Sequence, residues 1–405
     1  MRNNLSKPFI ILSIITANVL LILTIGFANA KGNTSFLTPI DRTIQVFNLL
    51  STTKPIKTVY GYLPYWMLQN ADYIDYAKLT DIAYFGLILD GKGNFKQYIG
   101  AEGEPGFAKW KSNNTLDKVI RLAKVHNVRV ALTVISQNDT DIDTFLTCRA
   151  CWDNALANIS QELLFKGITD ISIDFEHVEQ TNDIISQHYT DFVDFLNTGL
   201  DAKFGDSKVV VAAFADSFIR NRITKPTELA RVSDGIFIMA YDFHQTTSDN
   251  AGPVAPIYNI DNKAYDVKKA LTDFKKNTSS NKLILGVPYY GYNFLVEGPD
   301  PNSKRLPGND VLGYSVSQVY SLIKDNPKIP LSQSVWDESS KTPYVIYKSA
   351  DTGMTRVLHY ENQESLREKY KLVINENLAG IGIWALGYDG EYKDYWNLIK
   401  EQFGN

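Results

Sequence analysis

The sequence predicts an α/β fold: a (β/α)8 barrel, or TIM barrel, with a small α+β insertion between strands 7 and 8. Two observations predict it. Short apolar, β-branched runs recur eight times from residue 58 onward, and segments with helical periodicity fall between most of them. The runs are Thr58 to Tyr65, Asp81 to Leu89, Val128 to Ile135, Ile168 to Glu176, Lys208 to Ala215, Gly235 to Asp242, Lys282 to Tyr289 and Gly380 to Leu386. Helices are expected over Leu116 to His126, Ile184 to Leu200 and Ala264 to Lys276. In a closed parallel barrel of this kind the functional residues stand at the C-terminal ends of the strands.

The regular spacing breaks once, between the seventh and eighth runs. Residues 293–360 carry Pro, Gly and Asn turn signals, a helix expected over Ser315 to Lys324, and strand-like pieces at Tyr344 to Tyr347 and Thr355 to Tyr360. This insertion is expected to form a subdomain on the barrel's upper rim, with Glu364 to Asn375 as the last helix before the eighth strand.

The N-terminus has the features of an export segment. Arg2 and Lys7 precede an apolar stretch from Phe9 to Phe27, and Ala28-Asn29-Ala30 supplies a small-x-small cleavage pattern. The stretch is also long enough to span a bilayer, so residues 1–30 are either a signal peptide or a retained anchor. Both readings place the remainder outside the membrane, secreted or extracytoplasmic, with membrane contact only through a retained segment. Residues 31–55 read as a leader, and residues 56–405 as the barrel with its insertion.

Composition excludes some classes of function. A net charge of −4 provides no basic field for nucleic acid. His126, His177, His188, His244 and His359 are scattered without ligand spacing, so neither a metal nor another cofactor is expected. Cys148 and Cys151, the two cysteines, form a C-x-x-C that reads as a small disulfide clip or as two free thiols. A monomer is expected.

The chemistry concentrates in the fourth run, Gly167-Ile168-Thr169-Asp170-Ile171-Ser172-Ile173-Asp174-Phe175-Glu176. Side chains alternate along a strand, so Ile171, Ile173 and Phe175 face the covering helices while Asp170, Ser172, Asp174 and Glu176 face the barrel interior. Barrel strands are normally apolar on both faces, and unpaired carboxylates there cost several kcal/mol each. Crowded carboxylates push one another's pKa up, which keeps an acid protonated near neutral pH. Glu176, nearest the mouth, is placed to protonate a leaving oxygen. Asp174, one step deeper, can hydrogen-bond a substrate group or share a proton with Glu176.

The run from Thr169 to Glu176 resembles the D-G-x-D-x-D-x-E signature of family 18 glycoside hydrolases, with Asp174 and Glu176 on its last two acidic positions. Met239-Ala240-Tyr241-Asp242 resembles that family's M-x-Y-D, and Leu285-Gly286-Val287-Pro288-Tyr289-Tyr290-Gly291 its L-G-x-P-x-Y-G. Gly382-Ile383-Trp384 and the first run, Tyr60-Gly61-Tyr62-Leu63-Pro64-Tyr65-Trp66, fit as well. The resemblance implies hydrolysis of β-linked N-acetylglucosamine polymers, chitin or peptidoglycan, by a substrate-assisted retaining mechanism. It implies Glu176 as acid and base, Asp174 and Tyr241 on the acetamido group, Asp242 on the sugar and Trp384 beneath it. Tyr62, Tyr289 and Ser172 join these as substrate-binding candidates.

The signature departs from the family at Thr169 and Ser172, where it has aspartates; a serine cannot exchange a proton with Asp174. The ending Asp174-Phe175-Glu176 and the run Tyr241 to His244 look closer to the bacterial branch acting on spore cortex and peptidoglycan. The third run lacks the family's S-x-G-G. The alternatives are a non-catalytic carbohydrate-binding barrel, against which Glu176 argues, and a barrel that binds another protein.

Overall fold

Strand β1 (Thr58–Pro64) shows how each barrel strand is used. It is buried along nearly its whole length, and its side chains divide by parity. Val59 and Leu63 join the outer core under the helices, whereas Tyr60 and Tyr62 enter the core inside the barrel. The computed structural model describes residues 54–259, 264–308, 311–325, 329, 333–350 and 352–404, together with Thr38 and Asp41.

The pattern repeats in β2 (Asp81–Ile88), β3 (Arg129–Ser136), β4 (Asp170–Phe175), β5 (Val209–Phe214), β6 (Gly235–Met239), β7 (Leu283–Pro288) and β8 (Gly380–Trp384). Each strand pairs in parallel with its sequence neighbours, and β8 closes onto β1, so the barrel has no free edge. The expected runs match these strands but overshoot several of them at the C-terminal end. Glu176, Asp242, Tyr289 and Leu386 lie just past the last strand residue. At the barrel mouth the chain leaves the ladder for its loops, as Asp242 does with a φ of 58°.

Aromatic rings fill the barrel interior: Tyr62 meets Phe237 at 4.8 Å between ring centroids and Trp384 at 5.8 Å. Gly382 admits this packing, because a Cβ there would come within 2.0 Å of the Phe237 ring. Outside, Asn182 caps helix Asp183–Phe204 by accepting the Ile185 N–H, and Gly205 ends that helix in the left-handed region.

Between β7 and β8 the insertion forms a five-stranded antiparallel sheet with helix Val316–Asp325. Its strands are Tyr290–Val296, Leu312–Ser315, Val335–Asp337, Thr342–Lys348 and Thr355–His359. The sheet therefore begins at Tyr290, directly after the barrel strand, rather than at residue 293. Cys148 and Cys151 are joined as a disulfide at the start of helix Arg149–Lys166. The export segment lies outside the described residues. Of the leader, Asp41 is buried and pairs with Arg121 at 2.7 Å. Among the described residues no helix is long and apolar enough to cross a membrane.

Candidate active site

Helix Arg149–Lys166 ends at Gly167, whose φ of 61° turns the chain into β4. Ile171, Ile173 and Phe175 then face the outer core, as the alternation predicts. The inward carboxylates do not stay together. Asp170 lies at the N-terminal end of the strand, where Arg129 Nε and Nη2 bind it at 2.6 and 2.5 Å. Its Oδ1 also accepts the Lys208 N–H at 3.1 Å and the Thr169 hydroxyl at 3.0 Å.

At the other end, Asp174 and Glu176 open into a cavity of about 400 Å³ that Tyr62, Tyr241, Asp242 and Trp384 also line. Asp174 is 4% exposed, and its Oδ1 is buried with no hydrogen-bond partner. Burial pushes its carboxyl well above the ordinary carboxylate range, and the nearby Glu176 adds to this. Burial raises Glu176 too, opposed by a hydrogen bond from Gln137. As a unit the pair holds a proton to higher pH than an isolated carboxyl would. Burial likewise keeps the Tyr241 hydroxyl protonated, available as a donor.

Asp242 is held by two tyrosine hydroxyls, Tyr290 at 2.6 Å and Tyr292 at 2.9 Å, both donating to its Oδ1. Desolvation raises its carboxyl, and these two bonds partly oppose the shift. The Trp384 ring is braced edge-on by Phe85 at 4.7 Å and stands between the first cavity and a second of about 530 Å³. Trp66 and Asp242 also line both, so the two hollows share a wall.

Two expected substrate-binding residues do not line either cavity. Ser172 is fully buried beneath the mouth, 2.7 Å from the Tyr62 hydroxyl, and so positions Tyr62 rather than reaching a ligand. Tyr289 is a correction. It shares the outward parity of Leu283, Leu285 and Val287, packs on Tyr395, and has its hydroxyl 3.1 Å from that of Tyr370. The next residue, Tyr290, has the inward parity and takes the place expected of Tyr289. Strict application of the alternation would have chosen it.

Sequence reasoning also missed Gln137, Phe85, Trp66 and Tyr292. Trp66 stood inside the first motif, but its neighbours gave no reason to single it out. Gln137 follows the third strand and donates to Glu176 Oε1 at 2.7 Å. No pattern within its own strand predicts that contact. His177 and His244, adjacent to the motifs, turn away from the cavity. His177 Nε2 faces Asp143 Oδ1 at 3.3 Å, and His244 Nδ1 lies 3.0 Å from the Pro253 carbonyl. Among the described residues no cluster of His, Cys, Asp and Glu could hold a metal ion.

Known proteins resemble this chain in sequence and in fold. The probable di-N-acetylchitobiase 1 of Dictyostelium discoideum is 24% identical over 297 residues, covering 68% of this chain and 76% of its own. The glycosylase YvbX of Bacillus subtilis (strain 168), itself uncharacterized, is 23% identical, covering 76% of this chain and 86% of its own. Among solved structures, the Bacillus megaterium QM B1551 spore cortex-lytic enzyme SleL superposes with a TM-score of 0.67 at 18% identity, covering 87% of this chain and 75% of that one. A family 18 chitinase from Cycas revoluta in complex with (GlcNAc)3 reaches 0.71 at 15% identity, covering 85% and 99%. Residues 58–389 match the profile of Glycosyl hydrolases family 18, and the chain belongs to that family.

Proposed function

We propose that this glycoside hydrolase is exported and cleaves β-1,4-linked N-acetylglucosamine polymers, in chitin, chitooligosaccharide or peptidoglycan, by substrate-assisted retaining catalysis. The observation that carries the reading is the buried, unpartnered Asp174 Oδ1 beside Glu176 in an aromatic-lined cavity. Such an oxygen costs free energy unless a ligand donor meets it, and an acetamido N–H is a donor of the right kind. The two adjoining hollows around Trp384 suit more than one sugar ring, with the indole as an apolar floor.

In this mechanism Glu176 gives its proton to the glycosidic oxygen as the C1–O bond breaks. The acetamido carbonyl oxygen of the same sugar attacks C1 and forms an oxazolinium ion. Asp174 accepts the acetamido N–H and offsets the ring's positive charge, while the Tyr241 hydroxyl hydrogen-bonds the acetamido group. Water then adds to C1, the oxazolinium ring opens, and the water's proton goes to Glu176. Asp242, fixed by Tyr290 and Tyr292, contacts the sugar.

Relatives named for chitobiase and cortex-lytic activity support both polymers as candidates. Ser172 puts a neutral hydroxyl where the family signature has an aspartate. Asp174 then has no third carboxyl with which to trade a proton.

The test is release of reducing ends from chitin oligomers and from peptidoglycan. Glu176→Gln should lose about 10²- to 10⁴-fold in kcat while still binding oligomers. Equal binding by wild type and variant, with no product from either, would instead make the barrel a carbohydrate-binding protein.

A further inference from the structure

The ends of β3 and β4 bring a second polar group onto the Glu176 carboxyl. The Glu176 N–H donates to the Ser136 carbonyl at 2.8 Å, so Gln137 and Glu176 leave the barrel side by side. There Gln137 Nε2 donates to Glu176 Oε1 at 2.7 Å. Among the described residues no other side chain hydrogen-bonds this carboxyl. The chain beyond the contact is tied on both sides. Asn138 caps helix Asp139–Leu146 by accepting the Asp141 N–H. Asp139 accepts the N–H groups of Val178 and Glu179 at 3.1 and 2.9 Å, clamping the segment that follows Glu176.

We propose that Gln137 is a positioning residue, whose amide orients the Glu176 carboxyl and favours its ionised form. The inference rests on the role given to Glu176 above. By occupying Oε1, the amide leaves Oε2 to meet the glycosidic oxygen. Its N–H bond strengthens as Oε2 loses its proton, so it assists the step in which Glu176 acts as acid. Other ionisable groups also face this carboxyl: Asp174 on the same strand, Tyr62 from β1, Tyr241 and Asp242 beyond β6, and Arg222 beyond β5. Burial and Asp242 raise the carboxyl, and Gln137 and Arg222 lower it. The balance is already upward, and without Gln137 the raising influences lose their main opponent.

The experiment compares wild type with Gln137→Met, which keeps the side-chain length and removes the donor. The Glu176 carboxyl is titrated by ¹³C NMR, its signal assigned by its disappearance in Glu176→Gln, and the pH profile of kcat/KM is measured alongside. In Gln137→Met the titration midpoint and the alkaline limb of kcat/KM should both move up by about one pH unit. Thermal melting should be unchanged and KM little altered. A midpoint that stays in place, or a rate loss equal at every pH, overturns the proposal. The titration needs no turnover. If no polymer is cleaved but the midpoint moves, the hydrolase reading fails and the hold of Gln137 on Glu176 stands. Cleavage that depends on Glu176, with an unmoved midpoint, removes Gln137 alone.

Discussion

The two ends of β4 carry carboxylates on the same inward face, yet they do opposite things. At the N-terminal end Asp170 receives two guanidinium N–H groups, a backbone N–H and a hydroxyl, so its charge is fully met. Four residues on, Asp174 is equally buried and presents an oxygen to no partner at all. Burial of an acidic residue is thus no sign of chemistry in itself. The sign at Asp174 is burial without compensation on the wall of a cavity, where a ligand can supply the missing partner.

The sharpest way to break this contrast is Asp174→Asn. The contrast predicts that kcat on N-acetylglucosamine oligomers falls about 10²- to 10³-fold, the usual loss for a group that meets charge only in the transition state. The melting temperature should stay level or rise, because no stabilising contact is removed. A stability loss with little change in kcat would make Asp174 an ordinary core residue.

The mirror substitution is Asp170→Asn. Arg129 is partly exposed and keeps Asp206 at 3.0 Å, which limits the damage. A stability loss of about 2 kcal/mol in urea unfolding is expected, with kcat per folded molecule unchanged. A kcat that falls with Asp170 would tie the two ends of the strand together and erase the distinction.

This contrast was only half legible in the sequence. The alternation along β4 put all four polar side chains on the inner face, but it treated Asp170 like Asp174 because the partner that separates them, Arg129, comes from another strand. Paired or unpaired is a tertiary property. The barrel itself was easier to read, since each strand repeats a buried apolar run bounded by helical periodicity, and the motif residues at the strand ends converged on one cavity. Tyr289 shows what happens when motif position is given more weight than parity: one residue's difference exchanges the cavity for the outer core. Gln137 marks the other limit. Its contact depends on how β3 and β4 end beside each other, and neither strand's pattern states that.

The subtlest prediction uses pH. Because burial and Glu176 hold the Asp174 carboxyl above its ordinary value of 3.8, the folded protein binds that proton more tightly than the unfolded chain. The wild type therefore loses stability as pH rises from the ordinary carboxylate range through the folded value. An asparagine has no proton to lose and escapes this. The stability of Asp174→Asn relative to wild type should accordingly grow with pH between acid and neutral solution in urea unfolding. A difference that stays constant with pH would mean that the carboxyl is compensated in the folded state, and Asp174 would then belong with Asp170 rather than opposite it.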